Sequence, residues 1–222
     1  MSSSQKPRTF KFRPIIEAAP SLKRLLIIFV FVYYPTDYLA SLSSRKYTFT
    51  FPWEQSIPYI PEMYFIYYAI FALPLFTALI VDNKKQFQLI TRRCITAILV
   101  AGVFFICVPT DSILKKPDSD SYVEKMTAIV AGSYNYLPSL HVLLTLIFAT
   151  GLLNKLGWKT FPPIVVGTVT LMASTLFTFQ HQVADIIASF AIYVPIVLFV
   201  NENNNLLGGE HDKSIDKTQR PP

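Results

Sequence analysis

The sequence predicts an all-α fold, a polytopic membrane helix bundle of six transmembrane helices with both termini cytoplasmic. Three observations carry this expectation. Of 222 residues, 52% are apolar and only 15% charged, with a mean hydropathy of +0.39; soluble domains carry about 25% charged residues. Six apolar runs recur, at roughly 25–41, 59–81, 94–109, 137–153, 161–180 and 183–200. A span needs about 20 residues, so six of them leave no room for a large soluble domain. The lysines and arginines then alternate between the loops. Segments 1–24, 82–93, 154–160 and 201–222 hold fifteen of the 20, against five in 42–58 and 110–136. That asymmetry places the first group of segments inside. The 18 Phe, 12 Tyr and 2 Trp suit two membrane–water interfaces. Disorder, a coiled coil and an ordinary cytosolic enzyme are excluded. Net charge is +6, but it lies in blocks between apolar runs, a membrane pattern rather than a nucleic-acid footprint.

Residues 1–24 read as a basic cytoplasmic tail, and 25–200 as the six-helix catalytic domain. The first long apolar run starts at Leu25, and no small-residue cleavage site follows it, so no cleavable signal peptide is expected. Segment 42–58 carries Tyr47, Phe49, Phe51 and Trp53, an amphipathic stretch suited to lie at the interface and guide a lipid head group. Ile57 to Pro61 opens the second run. The third run draws Leu89 and Ile90 from upstream and holds both cysteines. Cys94 and Cys107 would lie about 20 Å apart on a helix, too far to pair. Segment 110–136 is polar. Pro138 favours the start of the fourth helix. A two-residue turn at 181–182 joins the last two runs, which could alternatively form one re-entrant hairpin. Residues 201–222, Asn-rich with Gly208-Gly209 and Pro221-Pro222, read as a disordered cytoplasmic tail.

Charged groups within or at the ends of spans are costly and so are functional candidates. Here they are Asp37, Glu62, His141, His181 and Asp185, all near the outer face in this topology. His181 and Asp185 have i, i+4 spacing, which on a helix puts them on one face. A carboxylate accepting the imidazole Nδ1–H leaves Nε2 as nucleophile or base. Pro138, Ser139 and His141 open a helix whose N-terminus favours an anion, with the Ser139 hydroxyl as a further donor. Lys115 and Lys116 on the polar outer loop are candidate phosphate ligands. Each element taken alone also has a bland reading, as a snorkelling side chain, a capped helix or a solvated charge pair. Their convergence on one face favours phosphoryl transfer, whose catalysis is mostly positioning and charge stabilisation. Two other readings remain: a metal held by His141, His181 and Asp185, and a non-enzymatic lipid-binding protein.

The pattern Pro138-Ser139-Leu140-His141, and Ser174-Thr175 followed by His181 and Asp185, resembles the second and third signatures of the type 2 phosphatidic acid phosphatase superfamily. The resemblance spans roughly residues 50–200, with Ile57 to Tyr68 and Val108-Pro109-Thr110 also similar to its membrane members. It implies that His181 forms a phosphohistidine, Asp185 orients it, His141 protonates the leaving group, and Ser139 with Lys115 and Lys116 binds phosphate. No metal or cofactor is implied. The first signature departs from the family: Lys116-Pro117 stands for Arg-Pro, and Pro109 occupies the expected lysine position. Thr175 replaces the arginine of the third, so Thr175 or Lys125 would have to compensate. These departures are closer to the inositol phosphorylceramide synthase-like branch, which transfers a phosphate-linked head group to a lipid hydroxyl.

The function expected is therefore an integral membrane lipid phosphatase acting on a lipid phosphomonoester or diphosphate. Its site would face the extracytoplasmic side, in a bacterial inner membrane the periplasm. Its partners are a membrane lipid and the bilayer, not nucleic acid; oligomeric state is left open, without a GxxxG motif. A lipid phosphotransferase and an inactive lipid-binding protein are the alternatives.

Overall fold

The computed structural model describes residues 13–112, 114, 122–130, 132 and 134–201. These are helical, with no strand among them and a single isolated bridge between Tyr47 and Thr110. Helix α1 spans Arg13–Ser41. A 3-10 turn at Pro61–Met63 leads through α2 (Tyr64–Tyr67) into α3 (Ala69–Ile80), and α4 spans Lys84–Cys107. A short α5 (Tyr122–Val130) precedes α6 (Leu140–Leu156), α7 (Phe161–Phe177) and α8 (Val183–Phe199). Among the described residues three helical stretches are long and apolar enough to cross a membrane: Pro61–Ile80, Lys84–Cys107 and Trp158–Phe177. Leu140–Leu156 and Val183–Phe199 are apolar but shorter, at 17 residues each.

Two helices begin earlier than hydropathy alone suggests. α1 starts at Arg13 rather than Leu25, so the second half of the expected tail is helical. α4 starts at Lys84 because the Asn83 side chain accepts from the N–H groups of Lys85 (2.9 Å) and Gln86 (3.3 Å), an N-cap independent of hydropathy. Arg93, 8% exposed, then donates to the carbonyls of Val197 (3.1 Å) and Val200 (3.0 Å), while Arg92 reaches Asn201 O (3.3 Å). The basic segment thus satisfies the open C-terminal carbonyls of α8.

Helix ends divide between two faces. At one, Tyr47 after α1 donates to Pro109 O after α4 (2.8 Å), Ile60 before α2 donates to Phe177 O of α7 (2.8 Å), and Ser139 before α6 donates to Asp185 O of α8 (3.3 Å). At the other, α4 begins beside the end of α8, and Lys155 pairs with Asp82. The helices therefore run alternately up and down. α6 sits centrally, packed on α3, α4, α7 and α8, and α1 lies along α4. At Gly151 a Cβ would collide with Ile90, and at Gly102 with Val32, so small residues set these close approaches.

The surface is inverted relative to a soluble protein. Phe31, Phe76, Val166 and Leu198 are exposed, whereas Thr77, Ser174 and Ser189 are fully buried. The buried threonines hydrogen-bond carbonyls one turn back, as Thr77 does to Leu73 O (2.8 Å) and Thr91 to Phe87 O (2.9 Å). The 42–58 segment carries exposed Phe49, Phe51 and Trp53, with Phe51 stacked on Trp53 at 6.1 Å.

Candidate active site

The face where α6 and α8 begin and α7 ends gathers His141, His181, Asp185 and Ser139. α7 closes in a Schellman turn. Phe179 N–H donates to Leu176 O (3.0 Å) and Gln180 N–H to Thr175 O (3.0 Å), with Phe179 left-handed at φ 50°. A non-glycine residue there costs on the order of 1–2 kcal/mol. Its ring packs against Tyr59 (5.3 Å). The turn delivers His181, whose N–H also donates to Thr175 O (3.1 Å).

His181 does not lie on α8. It precedes the N-cap Gln182, and Asp185 is the third residue of the helix. The expected same-face helical pairing is therefore replaced by a capping turn. Asp185 Oδ2 accepts from Gln182 N–H (2.8 Å) and lies 3.4 Å from His181 Nδ1. Both side chains are buried. With the carboxylate on Nδ1, the outer nitrogen Nε2 is the one left for chemistry.

Ser139 is the N-cap of α6, its hydroxyl accepting from Val142 N–H (3.3 Å). Ser189 Oγ donates to both Ser139 O (2.9 Å) and Asp185 O (2.7 Å). This clamp brings the first turns of α6 and α8 together and sets the His141 and His181 rings 5.9 Å apart. His141 is stacked on Tyr67 at 4.0 Å and meets the edge of Phe71 at 6.3 Å. Its Nε2 is sealed from solvent without a hydrogen-bond partner, although the ring as a whole is half-buried. Tyr136 presents its ring edge-on to His181 (6.1 Å). Burial pushes the Tyr136 phenol up to about 12, so it is neutral at physiological pH.

The expected cations fare differently. Lys115 and Lys116 lie outside the described residues. Residues leading towards them are tied to the site, because Gln182 Nε2 donates to Ser112 Oγ (2.9 Å), which accepts in turn from Leu114 N–H (3.2 Å). Thr175 is fully buried and its hydroxyl donates back to Met172 O (2.7 Å), so its side chain does not replace the family's arginine. Its carbonyl instead shapes the His181 turn. Lys125 is exposed on α5. Among the described residues no three His, Cys, Asp or Glu side chains form a metal-ligand set, so the metal reading is not carried further.

Other residues support the site without a local sequence signal. Glu54 is completely buried and its two carboxylate oxygens accept from Val183 N–H, at the first residue of α8, and from Phe51 N–H (2.6 Å). It fixes the aromatic loop to the helix that bears Asp185, with its negative charge at the positive end of the helix dipole. Asp37 accepts from Tyr134 N–H (2.9 Å) and holds the chain leading to Pro138. Glu62 is exposed.

No protein-family model, curated protein or solved structure matches the chain.

Proposed function

We propose that this protein is an integral membrane lipid phosphatase of the type 2 phosphatidic acid phosphatase kind. The observation carrying this reading is the buried pair of His181 on Asp185 with His141 alongside, at one end of an apolar helix bundle. In this reading α1, the α2–α3 stretch, α4, α6, α7 and α8 make the six crossings of the bilayer, α6 and α8 near the lower length limit for a span. The site faces the extracytoplasmic side, opposite the basic loops.

Nε2 of His181 attacks phosphorus, and the bond from phosphorus to the lipid oxygen breaks. The departing oxygen takes a proton from His141. Asp185 holds the ring and stabilises its positive charge. Water, deprotonated by His141, then attacks the phosphohistidine, releasing phosphate and restoring His181. Net, a phosphate ester and water become a lipid alcohol and phosphate. Lys115 and Lys116, with Ser139 at the α6 N-terminus, balance the phosphate charge.

The test is phosphate release from a panel of phosphorylated lipids by detergent-purified protein, with chelator present and His181→Ala alongside. Release in the wild type and loss in the variant is expected. Substantial turnover by the variant would refute the mechanism. If no phosphate appears but a new phospholipid forms when acceptor lipids are added, the enzyme is a transferase.

A further inference from the structure

The two histidines are held in different ways. The His181 ring meets a carboxylate, whereas Nε2 of His141 has no hydrogen-bond partner among the described residues. Packing fixes the His141 ring instead. Tyr67 lies face to face with it, 4.0 Å between centroids and 22° between planes, and Phe71 crosses it nearly at right angles, at 6.3 Å and 87°. These two residues are four apart along the helical stretch Pro61–Ile80, so successive turns present them to one side.

The neighbours of Tyr67 show that its ring, not its hydroxyl, is the part in use. Tyr64 Oη donates to Thr178 O (3.3 Å) and accepts from Gln180 Nε2 (2.9 Å), which ties α2 to the turn that delivers His181. Tyr68 bonds Thr127 on α5. The Tyr67 hydroxyl makes no hydrogen bond among the described residues, although the side chain is buried. Its ring meets those of Tyr64 at 6.0 Å and Tyr68 at 5.5 Å, both edge to face. Two tyrosines anchored through their hydroxyls thus brace a third, whose face lies on the imidazole.

Resting on the proposed phosphatase reading, we infer that Tyr67 is a positioning residue for the acid step: its ring face sets the His141 imidazole towards His181 and stabilises the positive charge that the imidazole carries until it gives up its proton. As the acid, His141 is an imidazolium beside a wall of Tyr67, Phe71 and Leu144, where an unpaired charge is costly. Among the described residues the titratable group acting on it is His181, a like charge whenever protonated, and Asp185 is committed to His181. The negative face of the Tyr67 ring is the contact that favours the charge. The proton passes from His141 to the leaving oxygen as the bond from that oxygen to phosphorus breaks. A leaving group stable as an anion escapes this requirement. Phenylalanine would offer the same face, and leucine would not.

Phosphate release from two substrates with the same tail tests this role. Dodecyl phosphate leaves as an alkoxide that needs the proton; 4-dodecyl-2-nitrophenyl phosphate leaves as a phenolate that does not. kcat/KM, which covers the chemistry up to loss of the leaving group, is measured for the full-length wild type, Tyr67→Leu and Tyr67→Phe in detergent. Tyr67→Leu should lower the value for dodecyl phosphate roughly tenfold more than for the nitrophenyl ester, the scale of a desolvated cation–π contact. Tyr67→Phe should restore most of that difference. Equal losses on both substrates in Tyr67→Leu would overturn the inference, because impaired folding or binding does not discriminate by leaving group. A selective loss in Tyr67→Phe as large as in Tyr67→Leu would assign the role to the hydroxyl and overturn it as well. The ring contact has its own readout in histidine-labelled protein. The His141 ring protons, identified by their loss in His141→Ala, should resonate upfield in wild type and Tyr67→Phe and move downfield in Tyr67→Leu; no movement would contradict the stacking. Release of phosphate from neither substrate by the wild type would remove the phosphatase reading and this role with it, whereas wild-type turnover with equal losses removes the Tyr67 inference alone.

Discussion

Asp185→Asn separates orientation of the nucleophile from support of the fold. In the native site one oxygen, Oδ2, faces both Gln182 N–H (2.8 Å) and His181 Nδ1 (3.4 Å). Asparagine's carbonyl oxygen in the Oδ2 position keeps the bond from Gln182, and with it the cap of α8, and still accepts from Nδ1–H. The carboxylate charge that stabilises the imidazolium is lost. Turned the other way, the amide nitrogen would face Nδ1 and move the proton to Nε2, but at the expense of the cap. Loss of a positioned acid–base partner costs about 10²–10⁴ in rate, or about 3–5 kcal/mol. Helix-terminal charge is worth about 0.3–1 kcal/mol, so folding should change little. The assay is steady-state turnover of a micellar lipid phosphate with a thermal melt of the same preparation. kcat should fall at least about a hundredfold with KM nearly constant, and the melting temperature should hold. A raised KM with native kcat would refute the orienting role, and a large fall in melting temperature would show that Asp185 acts chiefly through the cap.

Other perturbations test the supporting framework. Glu54→Gln keeps one acceptor where two backbone N–H groups converge; about 1.5–3 kcal/mol of stability should be lost, with a lower kcat, and unchanged melting and turnover would remove its positioning role. Arg93→Met opens the α8 carbonyls at the far face; a loss of about 2–3 kcal/mol is expected with kcat per folded molecule preserved, and a specific kcat defect would contradict a purely structural role. The Tyr136 phenol, raised to about 12, stays protonated through neutral and mildly alkaline pH, so Tyr136→Phe should leave the alkaline limb of the pH–rate profile in place; a shifted limb would mean this phenol titrates in turnover.

The helix order and the two histidines were legible because both rest on local signals, apolar run length and charged residues at run ends. What the sequence could not convey is long-range. Glu54 sits among aromatics that dominate its segment, and its partner Val183 N–H is a backbone group far along the chain. Tyr67 belongs to a cluster of tyrosines, and no periodicity distinguishes the ring stacked on His141 from its exposed neighbour Phe65. The His181 and Asp185 spacing anticipated that these two side chains meet, but for an incomplete reason. An i, i+4 spacing suggests a helical face, whereas a Schellman turn followed by a helix cap forms the contact. The start of α4 was missed because Asn83 caps a polar first turn that hydropathy reads as loop. Lys115 and Lys116, singled out as phosphate ligands, lie outside the described residues.

The most direct measurement is to trap the covalent intermediate. The purified protein would be incubated with a lipid phosphate labelled on phosphorus, quenched within one turnover, and digested for peptide mapping. An acid-labile, base-stable phosphoryl group on the peptide containing His181, absent in His181→Ala and accumulating in His141→Ala with a substrate bearing a good leaving group, is the predicted result. Turnover of the labelled lipid without a phosphopeptide at His181, or a label on another residue, would contradict the proposed mechanism.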